Sequence, residues 1–242
     1  MDPSVRIAMW SGPRNISTAM MRAWGNRPDT TVIDEPLYAF YLHRTHADHP
    51  GREEVISAGE IDLRKVIARL TKDPLPDGKC VFYQKHMTHH LLPEIDRDFL
   101  QHLTNCLLIR DPVEVIASYI KKNHEPSIED LGFVQQAEIF DLVSTRGTPP
   151  VIDARDMQEN PAKTLGLLCA AIGIDYTEAM LSWAPGRRDT DGVWAKYWYA
   201  EVEKSTGFQP PRGRGAQLPE RLRSVHEQAH EIYERLRVHK LH

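Results

Sequence analysis

Apolar residues recur along the chain in short, almost unbroken runs: Val5–Trp10, Thr31–Ile33, Lys79–Tyr83, Asn105–Ile109 and Pro150–Ile152. Runs of this kind, apolar on consecutive rather than alternate positions, suit strands covered on both faces of a parallel sheet. Between them the apolar positions fall at helical spacing. Ser17–Trp24 stops at Gly25 with Pro28 beyond it, and Asp62–Leu70 precedes Pro74. Val113–Lys121, Ile128–Val143 and Ala162–Ile172 continue the series, the last ending at Gly173. Strand and helix alternate, so the pattern predicts an α/β fold: an open, mainly parallel β-sheet of about five strands flanked by helices. Ligands of such sheets bind beyond the carboxyl ends of the strands.

Past Ile172 the pattern changes. Trp183, Trp194, Tyr197, Trp198 and Tyr199 gather in a polar context, and Gly207–Gly215 (GFQPPRGRG) reads as a loop. Leu218–Val238 reads as a charged, amphipathic closing helix, either a cover for the sheet or a homodimer face. With no repeat and no long linker, the expectation is one domain, a core over about residues 4–175 with a C-terminal segment over about 176–242.

Composition narrows the function. The 242 residues are 41% hydrophobic and 26% charged, with 30 basic and 34 acidic side chains giving a formal charge of −4. That balance argues against a nucleic-acid binder and requires any phosphate site to be a local basic pocket. Cys80, Cys106 and Cys169 form no CxxC pair and suit reduced thiols. The first residues lack the pattern of a secretory signal, and no stretch approaches the roughly 20 apolar residues of a membrane span. A cytoplasmic protein without membrane contact is the expectation.

The first strand runs through Ser11-Gly12-Pro13-Arg14-Asn15-Ile16-Ser17-Thr18 directly into a helix. Gly12 permits close backbone approach, Arg14 supplies fixed positive charge, and Ser17 and Thr18 bring hydroxyls to a helix N-terminus that favours anions. This is P-loop-like architecture without the GxxxxGK[ST] lysine; the alternative is a capped helix start with a surface arginine. A second motif follows the fourth strand: Arg110-Asp111-Pro112, with Ser118 two turns into the next helix. Taken alone, Arg-Asp-Pro is more often an N-cap with an ion pair.

Together the two motifs resemble the sulfotransferases that use 3′-phosphoadenosine-5′-phosphosulfate (PAPS), in particular their bacterial branch, whose first loop typically reads PRSGST and whose second motif is Arg-Asp-Pro followed by a serine. Weaker likenesses are Val151-Ile152-Asp153-Ala154-Arg155-Asp156-Met157 with Pro161, Leu165 and Leu168-Cys169, and Gly186-Arg187-Arg188 with Gly192-Val193-Trp194. The chain departs from the family pattern at Asn15, Ile16 and Arg155. The resemblance implies that Gly12, Pro13, Arg14, Asn15, Ile16, Ser17 and Thr18 hold the 5′ end of PAPS and that Arg110 and Ser118 hold its 3′-phosphate. Arg187, Arg188 and Trp194 would cover the nucleotide. It further implies in-line sulfonate transfer, without a metal, to a hydroxyl or amine of a small-molecule acceptor, leaving 3′-phosphoadenosine-5′-phosphate (PAP).

For the base, the second strand ends in Asp34-Glu35-Pro36, and relatives carry a glutamate near this position, which nominates Glu35; the alternative is a structural pair with Arg14 or Lys85. The third strand ends in Gln84-Lys85-His86-Met87. Neighbours on a strand face opposite sides, so at most one of Lys85 and His86 faces the pocket. Lys85 suits a sulfonate-oxygen contact, and His86 is the reserve base. His43, His46 and His49, and His86, His89 and His90, match no familiar metal spacing, so no metal is expected. Arg212 and Arg214 could close as a lid. Trp183 and Trp198 read as a satellite core, and the stretch Tyr38–His49, with Trp194–Tyr199, as acceptor pocket. Two other readings stay open. One is a P-loop-like nucleotide-dependent kinase with Asp34 as magnesium carboxylate. The other is a catalytically inactive nucleotide-binding protein.

Overall fold

The structure is a computed structural model that describes residues 4–121, 125–211 and 217–242. Its elements in chain order are β1 (Val5–Ser11), α1 (Ser17–Gly25), β2 (Thr30–Asp34), α2 (Tyr38–Thr45), α3 (Arg52–Ala58), α4 (Leu63–Thr71), β3 (Val81–Met87), β4 (Thr104–Ile109), α5 (Pro112–Tyr119) and α6 (Phe133–Ser144). They continue with β5 (Val151–Asp153), α7 (Ala154–Glu159), α8 (Pro161–Ile172), α9 (Ala195–Trp198), α10 (Ala200–Glu203) and α11 (Arg223–Arg237). The five strands form one sheet in the order β2-β3-β1-β4-β5, every pair parallel. The sheet is open: from β1 the chain crosses to the edge strand β2, returns through β3 between them, and then passes to β4 and β5 on the other side of β1, so the loops after β1 and its neighbours face a common crevice.

Both faces of the sheet are covered, which explains the unbroken apolar runs. Ile7 and Met9 pack into one cluster with Tyr83, Cys106 and Leu108; Ala8 and Trp10, pointing the other way, join Leu37, Leu70 and Leu100. Ile7, Ala8, Met9 and Trp10 are completely buried. Helix starts follow side-chain caps: Asp62 accepts from Arg64 N at 3.0 Å, Asp111 from Val113 N at 2.9 Å and Asp153 from Arg155 N at 2.8 Å.

Three boundaries depart from the apolar pattern. Strand β3 runs on through Gln84, Lys85 and His86, polar residues that are nonetheless buried. They can lie inside because each finds partners; Gln84 Nε2, for example, donates to Leu70 O at 2.8 Å. Helix α6 begins at Phe133, not Ile128, because Gly132 turns the chain in the left-handed region (φ 70°). There a Cβ would stand 2.3 Å from Thr88 Oγ1. Helix α11 begins at Arg223 rather than Leu218, after a single 3₁₀ turn over Glu220–Leu222. Helices α2 and α3 were not foreshadowed by the polar, histidine-rich stretch that holds them.

The closing helix covers the β4–β5 end of the sheet. Leu222, Ala229, Tyr233 and Leu236 pack with Leu107, Ile109 and Val151. Tyr233 OH donates to Asp153 Oδ2 at 2.7 Å, and Leu241 N donates to Val151 O at 2.9 Å.

Candidate functional site

The loop after β1 is fixed by its own sequence. Gly12 is required by close passage: a Cβ there would lie 2.4 Å from the Leu131 carbonyl oxygen. Pro13 is half-buried beside it, and Arg14 takes a left-handed conformation (φ 56°). Asn15 ties the loop to β4 by donating Nδ2 to Leu108 O at 3.0 Å and accepting from Ile16 N at 2.8 Å. Ile16, where a glycine was the family expectation, keeps an ordinary φ of −89° and packs on the core. Ser17 and Thr18 then open α1, whose first turn holds no acidic side chain and no capping hydrogen bond. Unpaired N–H groups and the helix dipole therefore leave this end electropositive.

Arg14 and Arg110 meet here. Arg110 Nη1 donates to Arg14 O at 2.9 Å, and Arg14 Nε donates to Ser118 Oγ at 3.0 Å. The ion pair of the Arg-Asp-Pro motif is with Glu114, which Arg110 grips through Nε and Nη2 at 3.0 and 2.9 Å, while Asp111 caps α5. Arg155, from the start of α7, pairs with the other oxygen of Glu114. Three guanidinium groups and one carboxylate thus sit at the carboxyl ends of β1, β4 and β5.

On the other side of β1, a second cluster forms on Lys85. Asp34 and Lys85 are cross-strand partners in β2 and β3 and share a face of the sheet. A regular strand would turn the next residue away; Glu35 instead adopts a left-handed φ of 41°, which swings its carboxylate back to the same ammonium. Such backbone strain in a residue with a side chain costs of order 1 kcal/mol and marks functional places. Lys85 Nζ donates to Asp34 Oδ1 at 2.8 Å, to Glu35 Oε1, and to Tyr199 OH at 2.8 Å. Tyr199 OH donates in turn to Asp34 Oδ2 at 2.7 Å. It also accepts from Trp194 Nε1 at 3.2 Å. Gly192 N completes Asp34 Oδ2 at 3.2 Å. The segment bearing these residues is anchored by a buried two-pronged pair, Arg22 on Asp191, at 2.6 Å for both contacts.

The electrostatics follow from burial. Lys85 is 1% exposed; burial works against its charge, but Asp34 and Glu35 outweigh it and hold the ammonium pKa well above its usual value. Burial pushes the Glu35 carboxyl up, aided by the charge of Asp34 and opposed by Lys85.

His86 is not brought to this cluster. As the strand alternation requires, it faces away from Lys85, stacks on Trp10 with ring centroids 4.1 Å apart and meets Gln84 Oε1 at 3.1 Å. Burial and Lys85 lower its pKa to about 3. His90 is buried near Glu35 instead, with Nδ1 4.0 Å from Glu35 Oε2 and its ring stacked on Tyr38, and His89 is half-buried beside it. His49 bonds Tyr38 OH at 2.7 Å, while His43 and His46 are exposed. Among the described residues no three His, Cys, Asp or Glu side chains are grouped to hold a metal. Asp34, engaged by Lys85, Tyr199 and Gly192, is not presented as an open magnesium carboxylate.

Arg188 is not at the loop after β1. Arg187 is exposed, and Arg188 lines a cavity of about 280 Å³ with Met21, Gly25 and Thr30 at the far end of α1. Trp194 lies in the Lys85 cluster, edge-on to Tyr38 at 5.0 Å. Trp183 is in the main core and Trp198 packs against it rather than forming a satellite. Arg212 and Arg214 lie outside the described residues. Sequence reasoning missed Tyr199, Arg155 and Glu114 as members of these clusters; the aromatic density after Gly192 was the one available signal for Tyr199.

A family model described as "Sulfotransferase domain" matches residues 5–237. Branched-chain-amino-acid aminotransferase-like protein 1 of Arabidopsis thaliana is 36% identical over 244 residues, covering 100% of this chain and 43% of that protein. The chain thus spans less than half the length of the curated relative it matches. Among solved structures, the sulfotransferase domain of the Synechococcus PCC 7002 olefin synthase aligns at TM-score 0.60 and 17% identity, covering 96% of this chain and 95% of that one. A sulfotransferase from Alicyclobacillus acidocaldarius aligns at TM-score 0.56 and 13% identity, covering 98% and 97%. No helix among the described residues is long and apolar enough to cross a membrane.

Proposed function

The chain belongs to the sulfotransferase domain family, and on that premise we propose that it transfers the sulfonate of PAPS to a small-molecule acceptor, with Glu35 as base. The observation that carries this reading is the meeting of Arg14, Arg110 and Ser118 at the open N-terminus of α1, on the same edge of the sheet as the Glu35–Lys85 pair.

The residues present fit a doubly anionic nucleotide. The first turn of α1 supplies N–H groups without competing acid, and planar guanidinium forks suit phosphate oxygens. Gly12, Pro13, Arg14, Asn15, Ile16, Ser17 and Thr18 would hold the 5′ end; Arg110 and Ser118 would hold the 3′-phosphate. Arg155 shares Glu114 with Arg110, so a phosphate arriving there meets a carboxylate it must displace. PAPS supplies an activated sulfonate, whose sulfur–oxygen bond to phosphate breaks as the acceptor's oxygen or nitrogen bonds to sulfur. Glu35 takes the acceptor's proton; its raised pKa suits a base, and its Oε2 is not on Lys85. Lys85 holds Glu35 in place. All three of its N–H donors are engaged by protein acceptors, so a sulfonate contact would require one to be released. The acceptor would enter beside Tyr38–His49. The proposal places the reaction in the cytoplasm.

A thermal-shift panel tests it. PAP is expected to raise the melting temperature more than ATP or GTP with Mg²⁺, and Arg110→Ala to abolish the PAP shift. Glu35→Gln is expected to keep the PAP shift and lose turnover of PAPS. A magnesium-dependent ATP shift instead would favour a kinase, and silence in every arm an inactive or unrelated binding protein.

A further inference from the structure

Two carboxylates, Asp34 and Glu35, share one ammonium in a buried cluster, and the surrounding donors are divided unequally between them. Asp34 accepts from Lys85 Nζ at 2.8 Å, from Tyr199 OH at 2.7 Å and from Gly192 N at 3.2 Å. Among the described residues the Glu35 carboxylate accepts from Lys85 alone. Its second oxygen has His90 Nδ1 at 4.0 Å, beyond hydrogen-bond reach. Donors stabilise the ionised form of a carboxyl, and a pair of interacting carboxyls in unlike surroundings divides into one that stays charged and one that binds the proton.

Tyr199 decides that division. Its hydroxyl accepts from both Lys85 Nζ and Trp194 Nε1, at 2.8 and 3.2 Å. With both acceptor directions filled, its single proton has one direction left, toward Asp34. The same contact holds Lys85 on the Asp34 side.

We propose that Tyr199 is a positioning residue for the base: by donating to Asp34 while accepting from Lys85, it concentrates donors on Asp34 and leaves Glu35 as the carboxylate of the pair that takes up a proton. The chain thereby brings a residue from its C-terminal segment, 165 positions from Asp34 in sequence, to set the chemistry of a strand end. The role assigned to Glu35 rests on the sulfonate-transfer reading, but the division of the proton does not, and the two fail separately.

The groups facing Glu35 are Lys85, Asp34, Tyr199, Tyr38 and His90. The test is carbon-13 NMR of the whole chain carrying labelled Asp and Glu carboxyls, with Asp34→Asn and Glu35→Gln assigning the two signals. In the wild type the Glu35 signal is expected to titrate above the ordinary glutamate value of 4.5. In Tyr199→Phe, Asp34 loses a donor and Lys85 regains one. The Glu35 midpoint is then expected to fall by about one pH unit. In Asp34→Asn the neighbouring charge is gone and Lys85 belongs to Glu35, so its midpoint falls again. An unchanged Glu35 midpoint in Tyr199→Phe, even with lost thermal stability, reduces Tyr199 to packing and overturns the proposal; so does an unchanged midpoint in Asp34→Asn, should Tyr199→Phe not fold. A normal turnover in Glu35→Gln would overturn the base assignment while leaving these midpoints standing.

Discussion

Lys85 illustrates how a residue's chemistry is set by what surrounds it. A lysine on a strand, read in isolation, offers three donors to a ligand; buried between Asp34, Glu35 and Tyr199 it offers a counter-charge. The consequence is strong coupling to stability. Lys85→Met would leave two carboxylates uncompensated in the interior, and the expected loss is about 3 kcal/mol or more in urea unfolding at neutral pH. The loss should shrink at acid pH, where Glu35 binds a proton. A loss well below 1 kcal/mol at neutral pH would mean that water reaches the cluster. The same scale explains His86: alternation along β3 places it against Trp10, opposite Lys85, and no spacing rule could award both residues to one pocket.

At the scale of elements, the turn from β1 into α1 is held from outside itself. Gly12 passes the Leu131 carbonyl so closely that a methyl group at 2.4 Å must displace backbone. Gly12→Ala is therefore expected to cost about 1–3 kcal/mol and, because the displaced backbone carries Arg14, to weaken the PAP-induced thermal shift more than it lowers the melting temperature. Equal PAP shifts in the two proteins would disconnect the loop from the nucleotide. The strands were legible because burial on both faces makes hydrophobicity continuous. The second half of β3 carries no apolar run, since Gln84, Lys85 and His86 are polar and are held inside by hydrogen-bond partners; its place on the strand was read from its position at the strand's end. Helices α2 and α3 escaped notice because their stretch carries exposed charges and histidines around few buried anchors, chiefly Tyr38, Phe40, Leu42 and Val55.

The whole molecule carries a pH liability from its buried imidazoles. Burial lowers the pKa of His86 and His89 to about 3 and that of His90 well below its ordinary value. Each is neutral when folded and binds a proton near pH 6.5 when unfolded. Their stabilising contribution is complete above pH 6.5 and is lost as pH falls from there toward about 3, at up to about 1.4 kcal/mol per pH unit for each histidine. Urea midpoints are expected to drop between pH 7 and pH 5, less steeply in His86→Gln; a flat profile would show that these rings are protonated in the native state or open to water.

Local order along the chain was sufficient to specify the alternating α/β architecture and to place the Arg14 loop and the Arg110-Asp111-Pro112 turn each at the carboxyl end of a strand, because each depends on residue type and spacing within a single strand–turn–helix unit; that the two units meet was implied by the resemblance and not by local order. The placement of Arg188 away from that loop, the engagement of Lys85 on three acceptors, and the arrival of Tyr199 at Asp34 were settled by the folded structure alone. These contacts join segments far apart in sequence, and a hydrogen bond depends on distance and direction in space, which neighbouring residues along the chain do not encode.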